Sequence, residues 1–173
     1  MTDAIDLLRD LFARTHALVP SLVAELSPAE LLWRPDASAN SIAWLVWHLS
    51  RVQDDHLAEV AGDDVEQVWT SQGWVDRFAL PYDAEAIGYG QTSEEVGAFV
   101  LDSPGLLTGY HAAVHVLTES VLDDLDERAL DRVVDRRWDP PVTLAVRLVS
   151  VAGDTAQHVG QAAYIRGLVQ RRR

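Results

Sequence analysis

Val149-Ser150-Val151-Ala152-Gly153-Asp154-Thr155-Ala156-Gln157-His158-Val159-Gly160-Gln161-Ala162-Ala163-Tyr164 lies within a run, from about Val142 to Val169, that reads as one long helix. Asp154 and His158 are four residues apart and so stand one above the other on one helix face. That spacing lets two side chains chelate one ion, as the paired histidines of an HExxH helix do. Here the two polar residues interrupt a largely small and apolar stretch. If the face is buried, each group needs a partner, and a shared ion supplies one. A solvated acid–histidine pair is the plainer reading of the same spacing.

Working outward, three more long helical segments precede this one. From Asp3 to Leu26, residues Ile5, Leu8, Leu11, Phe12, Leu18, Leu22, Val23 and Leu26 recur at helical spacing, and Pro20 is expected to kink or split the segment. Ser27-Pro28-Ala29-Glu30 opens a short helix, with Ser27 as its cap and Pro28 in first position, that ends at Trp33-Arg34-Pro35-Asp36. Ser41 opens a second long helix, Ile42 to Val60, with Gly62 just beyond it. Residues 62–91 hold Trp69, Gly73, Trp74, Phe78, Pro81, Tyr82, Gly88, Tyr89 and Gly90 without a sustained period, as expected of a lid or binding-site wall. Thr92 to Glu95 resembles a capping box. The third long helix runs from about Ser103 to Leu125, and a polar connection from Asp124 to Asp135 leads on towards Trp138-Asp139-Pro140-Pro141 and the last helix. Four long helices with almost no alternating strand pattern predict an all-α four-helix bundle, a single domain over residues 1–173 with no internal repeat.

Composition narrows the function. The net charge of -13 argues against nucleic acid, which is bound largely through Lys and Arg, and against an anionic membrane surface. Arg171-Arg172-Arg173 reads as a solvated tail or as cations near a helix C-terminus. With no cysteine there is no disulfide, thiolate zinc site or cysteine nucleophile, so any metal is held by imidazole and carboxylate. Met1-Thr2-Asp3-Ala4 starts no signal peptide, and no apolar run approaches a membrane span of about 20 residues, so a cytoplasmic location is expected.

The six histidines fall into groups. His48, within Trp44-Leu45-Val46-Trp47-His48-Leu49, is by itself an ordinary core histidine. It gains interest because Asp154 and His158 leave a third ligand position, and two imidazoles with one carboxylate form an open, catalytic kind of site. His111 and His115 are a rival i, i+4 pair, and spacing cannot choose between the two. His56 and Asp55 lie about two turns beyond His48, with Asp55 suited to a pocket wall. His16 has no evident partner and reads as solvated.

Asn40-Ser41-Ile42-Ala43-Trp44-Leu45-Val46-Trp47-His48-Leu49, together with Asp154-Thr155-Ala156-Gln157-His158-Val159-Gly160-Gln161, resembles the DinB-like (damage-inducible) superfamily. The likeness is greatest to its actinobacterial branch of mycothiol-dependent transferases and maleylpyruvate isomerases, and the stretch from Arg136 to Leu144 is similar to that branch too. The resemblance implies a divalent metal held by His48, Asp154 and His158, and it demotes His111 and His115. Many members have histidine where this chain has Asp154. The carboxylate suits zinc but leaves room for nickel, manganese or iron.

The resemblance further implies a metal-dependent thiol S-transferase with mycothiol, or another low-molecular-weight thiol, as cosubstrate for attack on a small electrophile in detoxification. A free thiol is mostly protonated at neutral pH, coordination to a divalent ion deprotonates it, and a chain without cysteine must borrow its sulfur. Trp44, Asp55, Gln161 and Arg166 are the candidate thiol-binding residues, Trp69 and Trp74 are placed near the site mouth, and a homodimer is expected from the superfamily. Two other readings stay open: a metal-dependent hydrolase with Asp55 as general base, and a non-catalytic metal-binding stress protein.

Overall fold

The third helix of the computed structural model, α3, is buried without a break from Ile42 to Asp54, and the other long helices pack around it. Residues 2–62 and 64–172 are described; Met1 and Arg173, at the ends of two stretches read above, lie outside them. In chain order the helices are α1 (Ala4–Val23), α2 (Pro28–Leu31), α3 (Ile42–Ala61), α4 (Val68–Ser71), α5 (Trp74–Phe78), α6 (Ser93–Gly97), α7 (Pro104–Asp123) and α8 (Leu144–Gln170). The four long ones form the expected all-α four-helix bundle. Contacts between Glu59 and Arg147, and between His48 and His158, set α3 antiparallel to α8. Contacts of Arg9 with Glu119 and of His16 with His115 set α1 antiparallel to α7. Among the described residues no helix is long and apolar enough to cross a membrane.

The caps follow the chemistry of their residues. Asp3, Ser27 and Thr92 each form a capping box with the acid three residues on, and Ser41 accepts from the Trp44 N–H. Gly62, at φ +114°, ends α3. Two expectations need correction. Pro20 does not split α1: it lies in the last turn, where the one backbone bond it forgoes is outweighed by packing of Val19, Leu22 and Val23 into the core. The last helix starts at Leu144, not Val142, because Val142–Thr143 (β2) pairs antiparallel with Val133–Asp135 (β1) and Thr143 then caps the helix. The basic tail keeps to expectation, with Arg171 and Arg172 exposed just past the end of α8, where Arg172 also lays its guanidinium over the Trp33 ring at 4.4 Å.

The apolar core comes in two parts. One gathers around Trp44, Trp47, Trp69 and Tyr110; the other around Ile5, Leu8, Leu57, Leu144 and Leu148. Buried polar side chains also occupy the interior, among them Thr15, His48, Ser50, Arg51, Gln53, Asp54, His111 and Thr118. Each demands partners, since a buried polar group without one costs about 1–3 kcal/mol. Gln53 donates to Thr118 Oγ1 at 2.6 Å. Asp54 accepts from the N–H groups of Val68 and Trp69 and from the Tyr110 hydroxyl, each at 2.8 Å, with the Arg51 guanidinium 3.6 Å away.

His16 is not solvated, contrary to expectation. Its ring stacks on His115 with centroids 4.0 Å apart and planes 15° off parallel, and His111 lies 5.4 Å beyond. His111 is fully buried and shares a 3.0 Å hydrogen bond with Ser50 Oγ. Burial first, then the neighbouring His16 and His115, push His111 down to about 3. Glu119, the acid beside this cluster, is bound by Arg9, which also pairs with Asp123.

Two outcomes are expected. Asp54→Ala leaves Arg51 buried without its anion and should lower stability by about 3–5 kcal/mol in urea denaturation. Because the His111 value is depressed, the unfolded chain takes up the proton first, and stability is lost as pH falls below about 6.5. Between pH 7 and pH 5 that histidine alone costs about 2 kcal/mol, so His111→Gln should flatten the pH dependence by that amount. An unchanged slope would contradict this account of the cluster.

Candidate metal centre

Helical spacing on α8 and the antiparallel packing of α3 against it bring His48, Asp154 and His158 together. Each offers a ligand atom, and these atoms all lie within 4.8 Å of one another. His158 Nε2 is 3.4 Å from Asp154 Oδ1, the separation expected of two ligands each about 2 Å from one ion. The His48 and His158 rings meet edge to face at 4.8 Å between centroids. His48 is buried, whereas the α8 pair is half-exposed and opens to solvent.

The hydrogen bonds settle which nitrogens face the centre. A carbonyl can only accept, so the bond between His48 Nδ1 and the Ile87 carbonyl puts the proton on Nδ1 and leaves Nε2 a bare lone pair. His158 Nδ1 likewise donates to Gln161 Oε1 at 3.0 Å, leaving Nε2 towards Asp154. Outer partners of this kind fix the tautomer and orientation of metal-binding histidines. Burial lowers the His48 pKa and keeps the ring neutral, ready to coordinate. Burial also pulls His158 down, but hydrogen bonds to Asp154 and Gln161 outweigh it and raise the pKa. For Asp154 burial acts upward and is overcome by the hydrogen bond and charge of His158, with His48 and His56 adding to the lowering. Asp154 Oδ2 is buried with no hydrogen-bond partner. Two imidazoles and a carboxylate with one oxygen unpartnered are a donor set that a divalent cation satisfies.

The other sequence-derived candidates land in different places. Trp44 stacks on His48, ring centroids 4.5 Å apart, and donates its indole N–H to Gln91 Oε1 at 2.8 Å. Gln161 holds His158, as above. Asp55 accepts from Gln67 Nε2 and faces His56 Nδ1 at 3.6 Å. It lines a cavity of about 880 Å³ with His56, Glu59, Glu66, Glu85 and Arg137. Arg166 is drawn to the α1 side of the bundle instead, donating to the Leu22 and Ala24 carbonyls at the end of that helix. Trp69 and Trp74 do not line the mouth; both are buried against Tyr110 in the apolar core. His111 and His115 gather no ion site, because lone pairs lie in the imidazole plane and rings stacked with His16 cannot share one cation. Among the described residues, His48, Asp154 and His158 are the group of three whose ligand atoms converge.

Ile87 and Gln91 act on the centre without having been singled out by sequence. Ile87 works through a backbone carbonyl, which leaves no trace in side-chain chemistry; Gly88 beside it was the available hint. A second cavity, of about 810 Å³, adjoins the centre through Gln161 and is lined also by Asn40, Leu45, Gln157, Tyr164 and Ile165.

Comparison with known proteins places the chain in a family. A conserved protein of Enterococcus faecalis, known from its crystal structure, is 35% identical and superposes with a TM-score of 0.90 over 98% of each chain. None of the curated proteins compared matches. The family described as mycothiol-S-transferase matches residues 7–171. With all four long helices within or almost within that match, the chain belongs to the DinB-like mycothiol S-transferase family.

Proposed function

We propose that this protein is a metal-dependent thiol S-transferase that presents mycothiol, or a closely similar low-molecular-weight thiol, to a small electrophile in the cytoplasm. The observation that carries the proposal is the prearranged His48–Asp154–His158 set, with its orphaned Asp154 oxygen, in a chain that has no sulfur nucleophile of its own. A divalent ion bound there, with zinc the first choice for two imidazoles and a carboxylate, would lower the pKa of a coordinating thiol and hold its sulfur as thiolate. The thiol proton would leave to solvent, a new carbon–sulfur bond would form at the electrophile, and the leaving group would depart with the displaced electron pair.

The chain's own groups divide the remaining work. The two Nδ1–H bonds hold both imidazoles in the coordinating tautomer. Trp44 stacks over His48 and shuts water out from that side. The cavity beside Gln161 suits the body of a neutral, hydroxyl-rich thiol. Asp36 is its charged lining residue, and Oδ1 of that carboxylate already accepts from the Ser38 and Ala39 N–H groups. The rest is amide, hydroxyl, apolar side chain and the Tyr164 ring, 67% exposed and able to stack on a sugar. The cavity around Asp55 carries four carboxylates against Arg137 and is the poorer seat for such a molecule. Hydrolysis by metal-activated water would need a general base at the centre. Asp55, the candidate for it, is occupied with Gln67 and faces the acidic cavity.

Elemental analysis of the purified protein should find about one divalent ion per chain, and His48→Ala or Asp154→Ala should lose it while staying folded by circular dichroism. Loaded protein should speed the reaction of mycothiol with monobromobimane above the uncatalysed rate. Tyr164→Ala should raise KM for mycothiol by roughly tenfold, the ~1.4 kcal/mol of one good contact, without changing KM for 2-mercaptoethanol. Stoichiometric metal without thiol turnover would sink the transferase reading and leave the metal site standing.

A further inference from the structure

Gly88 carries a consequence for the metal centre that its spacing in sequence does not disclose. Its φ is +91°, in the region that favours glycine, and a Cβ built there would lie 2.6 Å from His48 Nδ1, 3.0 Å from Trp44 Cζ2 and 3.1 Å from Trp47 Cζ3. The backbone of residue 88 is therefore pressed against three ring edges of α3, two of them held in the core. Any side chain would lift the strand of loop off the imidazole. The segment is pinned to α3 and to its own loop at several further points. Arg51 Nε donates to the Ala86 carbonyl at 3.2 Å, Trp69 Nε1 to the Ala84 carbonyl at 2.8 Å, and Trp44 Nε1 to Gln91 Oε1.

We propose that Gly88 is a positioning residue for the metal centre: by lacking a Cβ it lets the Ile87 carbonyl reach His48 Nδ1, which fixes the proton there and turns Nε2 towards the ion. The inference rests on the metal reading of the site, though the tautomer itself needs no metal. A linkage follows. Docking of residues 84–91 favours the coordinating form of His48, so metal binding must in turn favour docking of residues 84–91, by the same factor. The loop wall and the ion are one thermodynamic unit.

Gly90 supplies the control. It too has positive φ, +74°, but a Cβ there meets nothing within 4 Å. Gly90→Ala thus carries the backbone strain of a non-glycine residue without the clash at His48. Isothermal titration with Zn²⁺ should show Gly88→Ala weakened by roughly 10–100-fold, the usual effect of losing an outer partner of a ligand, and Gly90→Ala close to the native protein. Nitrogen-15 imidazole shifts of the metal-free proteins should report His48 protonated on Nδ1 in the native chain and Gly90→Ala, and a shift to the other tautomer in Gly88→Ala. Equal affinity and an unchanged tautomer in Gly88→Ala would overturn the proposal. Should that variant not fold, hydrogen exchange on the native protein decides: amides of residues 84–91 should slow on adding saturating Zn²⁺, and no change there would overturn the linkage. A native protein that binds no Zn²⁺ at all would refute the metal reading, while the imidazole shifts still judge the role of Gly88.

Discussion

The buried polar stripe of α3 is the constraint from which the rest of the site follows. Trp44, His48, Arg51 and Asp55 recur at steps of four, three and four residues and so share one face, with Asp54 beside them. Arg51 and Asp54 are completely withdrawn from solvent. Ionised groups in that position are tolerated only with hydrogen-bonded partners, and neither α1, α7 nor α8 supplies enough of them. Beside the Tyr110 hydroxyl of α7, the partners come from the segment between α3 and α6: the Val68 and Trp69 N–H groups, the Gln67 amide and the Ala86 carbonyl, with the Ile87 carbonyl holding His48. An otherwise irregular stretch of chain thereby acquires one conformation. The helix organises the loop, and the loop returns the favour by orienting a histidine of the helix.

How much of this was legible beforehand depended on where the determinants reside. The long helices were readable because apolar periodicity and caps are local: Ser27 with Glu30, Ser41 and Thr92 with Glu95 behave as their chemistry demands. Asp154 and His158 were readable as a pair because four residues make one helical turn. Their choice over His111 and His115 was not, since the deciding fact is which face meets which neighbour. His48 entered through family resemblance, and its standing as a ligand candidate now rests on distance and on a tautomer set by Ile87. The misreadings share one origin. His16, Trp69, Trp74 and Arg166 were assigned by character, whereas their surroundings come from residues distant in sequence: His115 on α7, Tyr110 in the core, and carbonyls at the end of α1. The β1–β2 pair escaped because strands of three and two residues are too short to show a period.

The bundle also separates two kinds of histidine that sequence alone leaves alike. His48 and the pair on α8 lie on the side of α3 that faces loop and solvent, where one nitrogen of each ring is bonded and the other is directed at a shared centre. His16, His111 and His115 lie between α1 and α7, stacked face to face and kept neutral by burial. Edge-on imidazoles can share a cation and stacked ones cannot, so ring orientation leaves the first group able to bind an ion and gives the second to packing.

That residues 84–87 are held by their carbonyls has a consequence for how this protein can change over time. A main-chain oxygen is the same whatever residue bears it, so Ala84, Ala86 and Ile87 contribute to the anchoring without their side chains. Asp83, Glu85 and Tyr89 alternate with them, and the Tyr89 ring is 89% exposed. Mutation can therefore change these exposed side chains while leaving the anchoring carbonyls as they are. Anchoring and surface chemistry are thus encoded in different atoms of the same segment, and substitution of the exposed side chains need not disturb the main-chain oxygens that hold it against α3.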